Sequence, residues 1–223
     1  MSVELGDVGG LSIGILGGTG DQGKGLARRF ALAGHQVLIG SRDATRAQEA
    51  ADGLGAGLPV RGAENARVAT EADVVIVAVP WDGHRSILES LVSELAGKIV
   101  IDCVNPLGFD KQGAYALDVE EGSAALQAAA VLTGSRVVAA FHHVSAVLLL
   151  DPEVAEIDLD VLVLGDDREA TDIVRALASR IPGARGIYGG RLRNARQVEA
   201  FTANLISINR RYKAHAGLRV TDV

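Results

Sequence analysis

An α/β fold built on a doubly wound parallel sheet follows from three features of this sequence. Apolar runs alternate with stretches of helical periodicity along most of the chain. The run 73–79 (Asp-Val-Val-Ile-Val-Ala-Val) is continuously apolar, as a central parallel strand should be. A glycine-rich turn, Ile15-Leu16-Gly17-Gly18-Thr19-Gly20-Asp21-Gln22-Gly23, joins a first strand at 11–16 to a helix at 22–33. Gly18, Gly20 and Gly23 have the G-x-G-x-x-G spacing of dinucleotide binding: one glycine for the turn, one to let backbone approach a pyrophosphate, one for close helix–strand packing. The helix offers its unpaired N–H groups and positive dipole end to the phosphates.

The remaining elements follow in order. Residues 36–40 read as a second strand and 44–54 as a helix capped from Ser41 or Asp43. A short strand near Val60, a helix at 64–71 and the strand 73–79, stopped by Pro80, come next. A helix at about 84–95, a strand at 99–104, a loop at 105–113, a helix near 123–132 and a strand at 137–141 complete the Rossmann pattern, assigned to a dinucleotide-binding domain at 11–146. Beyond it, strands at 159–165 and 186–188 flank a helix from about 168 to 181. A long helix follows, from 194 to about 215, with Val198, Phe201, Leu205 and Ile208 on one face and Gly217 as its C-cap. Residues 147–223 are expected to form a small C-terminal α+β domain, too small for its own core, that packs on the sheet, on a partner subunit, or both.

Composition narrows the class. At 48% hydrophobic and 22% charged residues the chain is ordinary globular protein. A net charge of -6 argues against a nucleic-acid surface, because neutralising phosphates needs a basic face. No apolar run approaches the ~20 residues of a membrane span. Residues 1–10 lack the basic and apolar regions of a signal peptide and read as a frayed leader. The single cysteine, Cys103, suits a reducing cytoplasm.

In such sheets ligands sit at the carboxyl ends of the strands, so the residues there carry the chemistry. After the second strand, where an acid would hold an NAD ribose, stand Ser41 and Arg42, with Arg46 one turn on. A hydroxyl and two guanidinium groups suit a 2'-phosphate, so NADP(H) is expected over NAD(H). Val79-Pro80-Trp81 places an aromatic where it could wall a flat heterocycle such as nicotinamide. His142 and His143 are adjacent on extended backbone and point to opposite faces, so they do not share a metal; one is expected to meet a bound ligand while the other packs. No Tyr-x-x-x-Lys, nucleophile elbow or Walker lysine occurs. The absence of an acid or base suggests hydride transfer between two ready-made carriers.

Taken together, the segment 17–25, Gly40-Ser41-Arg42 with Arg46, Val79-Pro80-Trp81 and Phe141-His142-His143-Val144-Ser145-Ala146 closely resemble the NADPH-dependent coenzyme F420 reductases, also called F420H2:NADP+ oxidoreductases. The resemblance runs from about Leu11 through the C-terminal helix, including Asn194-Ala195-Arg196. It implies that Thr19, Gly20, Asp21 and Gln22 hold the pyrophosphate and that Ser41, Arg42 and Arg46 hold the 2'-phosphate. Val79, Asn105 and Ala146 would line the nicotinamide, with His142, His143, Val144 and Ser145 facing the deazaflavin. His143 and Ser145 depart from the Thr and Pro associated with these places. The implied reaction is direct hydride exchange between nicotinamide C4 and deazaflavin C5, the rings held ~3 to 3.5 Å apart with water excluded. Arg193 and Arg196 are nominated for the anionic F420 tail. A homodimer is expected from the long apolar helix and from the resemblance. Two other classes share much of this pattern: an NADPH reductase of an imine or metal chelate, and an NADP-sensing regulator without turnover.

Overall fold

The structure is a computed structural model and describes residues 6–223. Residues 1–5 of the expected leader lie outside the described residues. The rest of that leader is not frayed, because Val8 is buried in the core and its carbonyl accepts from Leu11 N.

Strand β1 (Ile13–Leu16) leads into α1 (Asp21–Leu32), β2 (Val37–Ser41), α2 (Ala44–Asp52), β3 (Val60–Glu64), α3 (Asn65–Glu71) and β4 (Val74–Val77). Asp43 alone caps α2, its carboxylate accepting from Thr45 N and Arg46 N, while Ser41 Oγ accepts from Asp43 N. The helix expected at 84–95 is two pieces, α4 (His84–Glu89) and α5 (Val92–Leu95), preceded by a 3-10 turn at Trp81–Gly83. Strand β5 (Ile99–Asp102) follows. The expected loop at 105–113 is instead part of a hairpin, β6 (Leu107–Asp110) and β7 (Gly113–Ala116). Its turn is held by Asp110 Oδ1, which accepts from Gln112 N and Gly113 N. Then come α6 (Ala124–Val131), β8 (Arg136–Ala139), the short α7 (Ala146–Leu150), β9 (Leu159–Gly165), α8 (Arg168–Ala178), β10 (Ala184–Gly190) and α9 (Ala195–Tyr212). The cap of α9 is Lys213 in the left-handed region, not Gly217.

The main sheet has eight strands in the order β10-β9-β8-β5-β4-β1-β2-β3. All neighbours are parallel except β8 and β9, which pair antiparallel through Val138 and Ala139. The last two strands therefore extend the same sheet. Its two faces bury separate cores, because successive strand residues point to opposite sides. Ile13, Ile15 and Ile76 meet Phe30 of α1, Ala47 of α2 and Val174 of α8; Leu16, Val75 and Val77 meet Val68 of α3, Leu88 of α4 and Ala124 of α6. Helix α9 lies on the second face with Ala195, Val198, Glu199, Ala203 and Leu205 buried. Phe201 and Ile208, expected on the same apolar face, are partly exposed. The C-terminal tail is clamped to the sheet edge by buried Asp160, which binds Arg185 through two bonds, Arg219 Nη1 and Val220 N. No helix among the described residues is long and apolar enough to cross a membrane.

Candidate functional site

The strand order reverses between β1 and β4, and the crevice beyond their carboxyl ends is where such a sheet binds ligands. The glycine loop forms one wall. Gly17, rather than Gly18, makes the tight turn: its φ is +66°, and a Cβ there would stand 2.5 Å from Val79 Cγ1. The exits of β1 and β4 thereby touch. Gly23 is the packing glycine, since a Cβ on it would lie 2.5 Å from Gly18 Cα. Gly20 faces open space and caps α1 without any side-chain bond, so the first-turn amides of the helix are left for a ligand. Thr19 is half-buried beside it and Asp21 is exposed, paired with Lys24 at 3.1 Å.

Each neighbouring strand exit is tied to this loop. Gly18 N donates to Gly40 O at 3.0 Å, which fixes the loop against the end of β2. Gly17 N donates to Asn65 Oδ1 at 3.3 Å. Ser41 is buried at the end of β2, while Arg42 and Arg46 are exposed, and among the described residues neither guanidinium has an ion-pair partner. Gln22 Nε2 reaches across to donate to Phe141 O at 3.3 Å, joining the start of α1 to the exit of β8.

That exit is strained. Phe141 is 1% exposed and has φ +66°, the left-handed region that a bulky residue rarely enters. Strain of about 1–2 kcal/mol is offset by burial of its ring, edge-on to Phe30 with centroids 5.9 Å apart. The turn redirects the chain so that the two histidines part. His143 packs: its Nε2 donates to Val198 O at 2.7 Å and its ring meets Phe201 edge-on. His142 is buried, and among the described residues neither ring nitrogen has a hydrogen-bond partner. Burial pushes its pKa down to about 4 against the pull of the nearby Asp102 charge, so its imidazole is neutral near pH 7. Val144 turns its side chain into the core, and Ser145 and Ala146 begin α7. Buried Arg29 of α1 holds α7 in place, bonding to the carbonyls of Leu148, Leu149 and Asp151.

Asn105 connects the exit of β5 to this segment. Its Nδ2 donates to His142 O at 3.2 Å and its Oδ1 accepts from Thr202 Oγ1 at 3.2 Å. Val79 and Trp81 are half-buried and Pro80 exposed at the exit of β4. The predicted residues thus gather along one edge of the sheet, save that the side chains of His143 and Val144 face away into packing contacts. Arg196 is exposed at the rim, paired with Asp118 at 2.9 Å.

Of four further residues that shape the site, three carry no local signal. Asn65 and Thr202 become partners of Gly17 and Asn105 only through the fold. Glu199 reaches from α9 to accept from Ala124 N and Ala125 N at the start of α6. Its burial pushes its pKa up to about 7 against the pull of those two amides. His84 is fully buried between Asp102 and Gln127; the one available hint was its position a single turn after Trp81.

The family described as "NADP oxidoreductase coenzyme F420-dependent" matches residues 12–106. The F420-dependent NADP reductase of Methanothermobacter marburgensis is 42% identical over 223 residues, which cover 96% of this chain and 99% of that protein. The reductase of the same description from Methanocaldococcus jannaschii is 39% identical, covering 96% and 99%. Among solved structures, one from Arthrobacter sp. FB24, described as a candidate F420-dependent NADP-reductase, superposes with a TM-score of 0.79 at 26% identity, covering 95% of this chain and 100% of that one.

Proposed function

Because the chain belongs to the F420-dependent NADP reductase family, we propose that it moves hydride between NADP(H) and the deazaflavin coenzyme F420. The observation that carries this reading is that polar groups without partners stand at both ends of the row of strand exits. At one end stand the open Gly20, the uncapped amides of α1 and the Arg42 and Arg46 guanidinium groups, which have no ion-pair partner among the described residues. At the other is His142 with both ring nitrogens unbonded.

The fit of the dinucleotide follows from these groups. The α1 amides with Thr19, Asp21 and Gln22 take the pyrophosphate through N–H groups and the helix dipole. Ser41, whose oxygen already accepts from Asp43 N, keeps its proton to donate to a 2'-phosphate, and Arg42 and Arg46 neutralise it. When bound, nicotinamide would supply hydride from C4 and the deazaflavin would take it at C5 together with a proton from solvent on its ring nitrogen, so the chain would need no acid or base at the two carbon centres. Val79, Pro80, Trp81, Asn105 and Ala146 would line the nicotinamide, and the 142–145 segment would face the deazaflavin. Neutral His142 can donate from one nitrogen and accept at the other. The Gln22–Phe141 and Asn105–His142 bonds hold the two cofactor walls at one separation, which is the protein's contribution to near-attack geometry. Residues 11–146 would supply the dinucleotide site and 147–223 complete the F420 cleft, with Arg193 and Arg196 at its mouth for the anionic tail. A cytoplasmic homodimer is part of the same reading.

The test is the visible absorbance of oxidised F420 mixed with the protein and either NADPH or NADH. Rapid bleaching with NADPH and little with NADH is expected. Tight NADPH binding by calorimetry without bleaching would refute the F420 reading and leave the glycine-loop assignment standing.

A further inference from the structure

His84 is a buried group that the proposed hydride transfer does not use. Its Nε2 lies 2.6 Å from Asp102 Oδ2 and its Nδ1 lies 2.9 Å from Gln127 Oε1. The Gln127 amide cannot be turned over without loss: its Nε2 donates to Glu121 Oε2 at 3.1 Å, and a carboxylate only accepts. Its oxygen therefore faces His84, and Nδ1 must donate. On the other side the Asp102 carboxylate already accepts from Val104 N through Oδ1 at 3.0 Å and accepts from Nε2 through Oδ2. With an acceptor on each side, both ring nitrogens carry protons.

The second observation is independent of this network. The His84 ring lies under the indole of Trp81, centroids 5.5 Å apart and planes inclined by 31°, within the range of cation–π attraction. We propose that His84 is a positioning residue held as an imidazolium, whose charge on Asp102 and face against Trp81 lock the 79–81 and 102–105 segments in one geometry. This rests on the reading of Trp81 and Asn105 as cofactor-lining residues.

The charges around the ring support it. Burial pulls the proton off, but the Asp102 charge, the Asp102 and Gln127 hydrogen bonds and the Glu199 charge outweigh it, and His84 holds its proton above the ordinary histidine range. Asp102 comes from β5, Gln127 from α6 and Glu199 from α9. Glu121, ahead of α6, is neutralised by Arg85 of α4. His142, from the exit of β8, adds no charge near pH 7.

Trp81 is the chain's only tryptophan, so the tryptophan emission comes from this ring alone. In the full chain at neutral pH without cofactor, 15N spectra are expected to show two protonated ring nitrogens on His84. Indole emission, quenched by the imidazolium, is expected to rise as pH is taken upward through its deprotonation, and to stay flat in His84→Gln. With F420 and NADPH, His84→Gln and Asp102→Asn are expected to lower kcat by about 10- to 100-fold, a loss of alignment, with KM for NADPH changed by less than about threefold. A His84 ring with one protonated nitrogen, an emission profile unchanged in His84→Gln, or an unaltered kcat would each overturn the proposal. The ring spectrum needs no variant to fold. It is also independent of turnover: if the wild type fails to reduce F420 the cleft reading falls, and the spectrum still decides the charge state of His84.

Discussion

Removing the Arg42 guanidinium tests the cofactor choice where the structure makes the outcome cleanest. Arg42 is exposed, and among the described residues it has no ion-pair partner, so Arg42→Ala leaves nothing buried unpaired and the folded state loses little. What is lost is a charge-assisted hydrogen bond to the 2'-phosphate, worth about 1.5 to 3 kcal/mol. At about 1.4 kcal/mol per tenfold, the Kd for NADPH should rise about 10- to 150-fold. NADH has a hydroxyl there, so its Kd should hardly change, and the gap between the two dinucleotides should narrow by that factor. Arg46, one helical turn away on α2, can swing toward the vacated position, so Arg42→Ala/Arg46→Ala should lose more than either single change. Calorimetric titration of each variant with both dinucleotides measures this, with thermal unfolding as the control for folding. NADPH and NADH weakened equally in Arg42→Ala, or NADPH unaffected in the double variant, would refute the assignment of this corner to the 2'-phosphate.

Two further predictions concern the walls of the crevice. At Phe141 the usual order of alanine and glycine should invert. Both substitutions lose the buried ring, at a cost of about 3 to 5 kcal/mol. Glycine also relieves the left-handed backbone by about 1–2 kcal/mol, less about 0.4–1 for its freer unfolded chain. Denaturant unfolding should therefore find Phe141→Gly more stable than Phe141→Ala by about 1 kcal/mol, and Phe141→Ala the more stable of the two would show that the turn is not strained. At Glu199 the folded pKa lies above the unfolded one, so its contribution is complete below about pH 4.5 and is lost as pH rises through about 7. The rise from 4.5 to about 7, at about 1.4 kcal/mol per unit, makes this loss about 3.5 kcal/mol. Glu199→Gln cannot ionise, so its stability should fall less than the wild type's across that window. Urea midpoints at several pH values that run parallel for the two proteins would contradict it.

What the sequence determined by itself is the part of the molecule whose physics is local. The β1–α1 turn is readable because residues 17–23 are one continuous segment in which Gly17, Gly18 and Gly23 each answer a nearby steric demand. The expectation of NADP over NAD rests on Ser41, Arg42 and Arg46, because charge complementarity to a phosphate needs only their place after a strand. The hairpin at 107–116 was not read as strands, although Asp110 and Gly113 were there to mark its turn, because its short strands lie outside the main sheet and lack the long apolar run of a central strand.

Tertiary structure alone decided the rest. Which histidine packs and which stays unbonded depends on the left-handed turn at Phe141 and on Val198 arriving from α9. Asn105 meets Thr202 across 97 residues, His84 meets Gln127 across 43, and Glu199 meets Ala124 across 75. A buried polar group must find its partner wherever the fold brings one, and no spacing in the chain encodes a partner that arrives from a different element. The corner proposed for the cofactor is made of neighbours in sequence, whereas the network that holds the strand exits in shape is made of neighbours only in space.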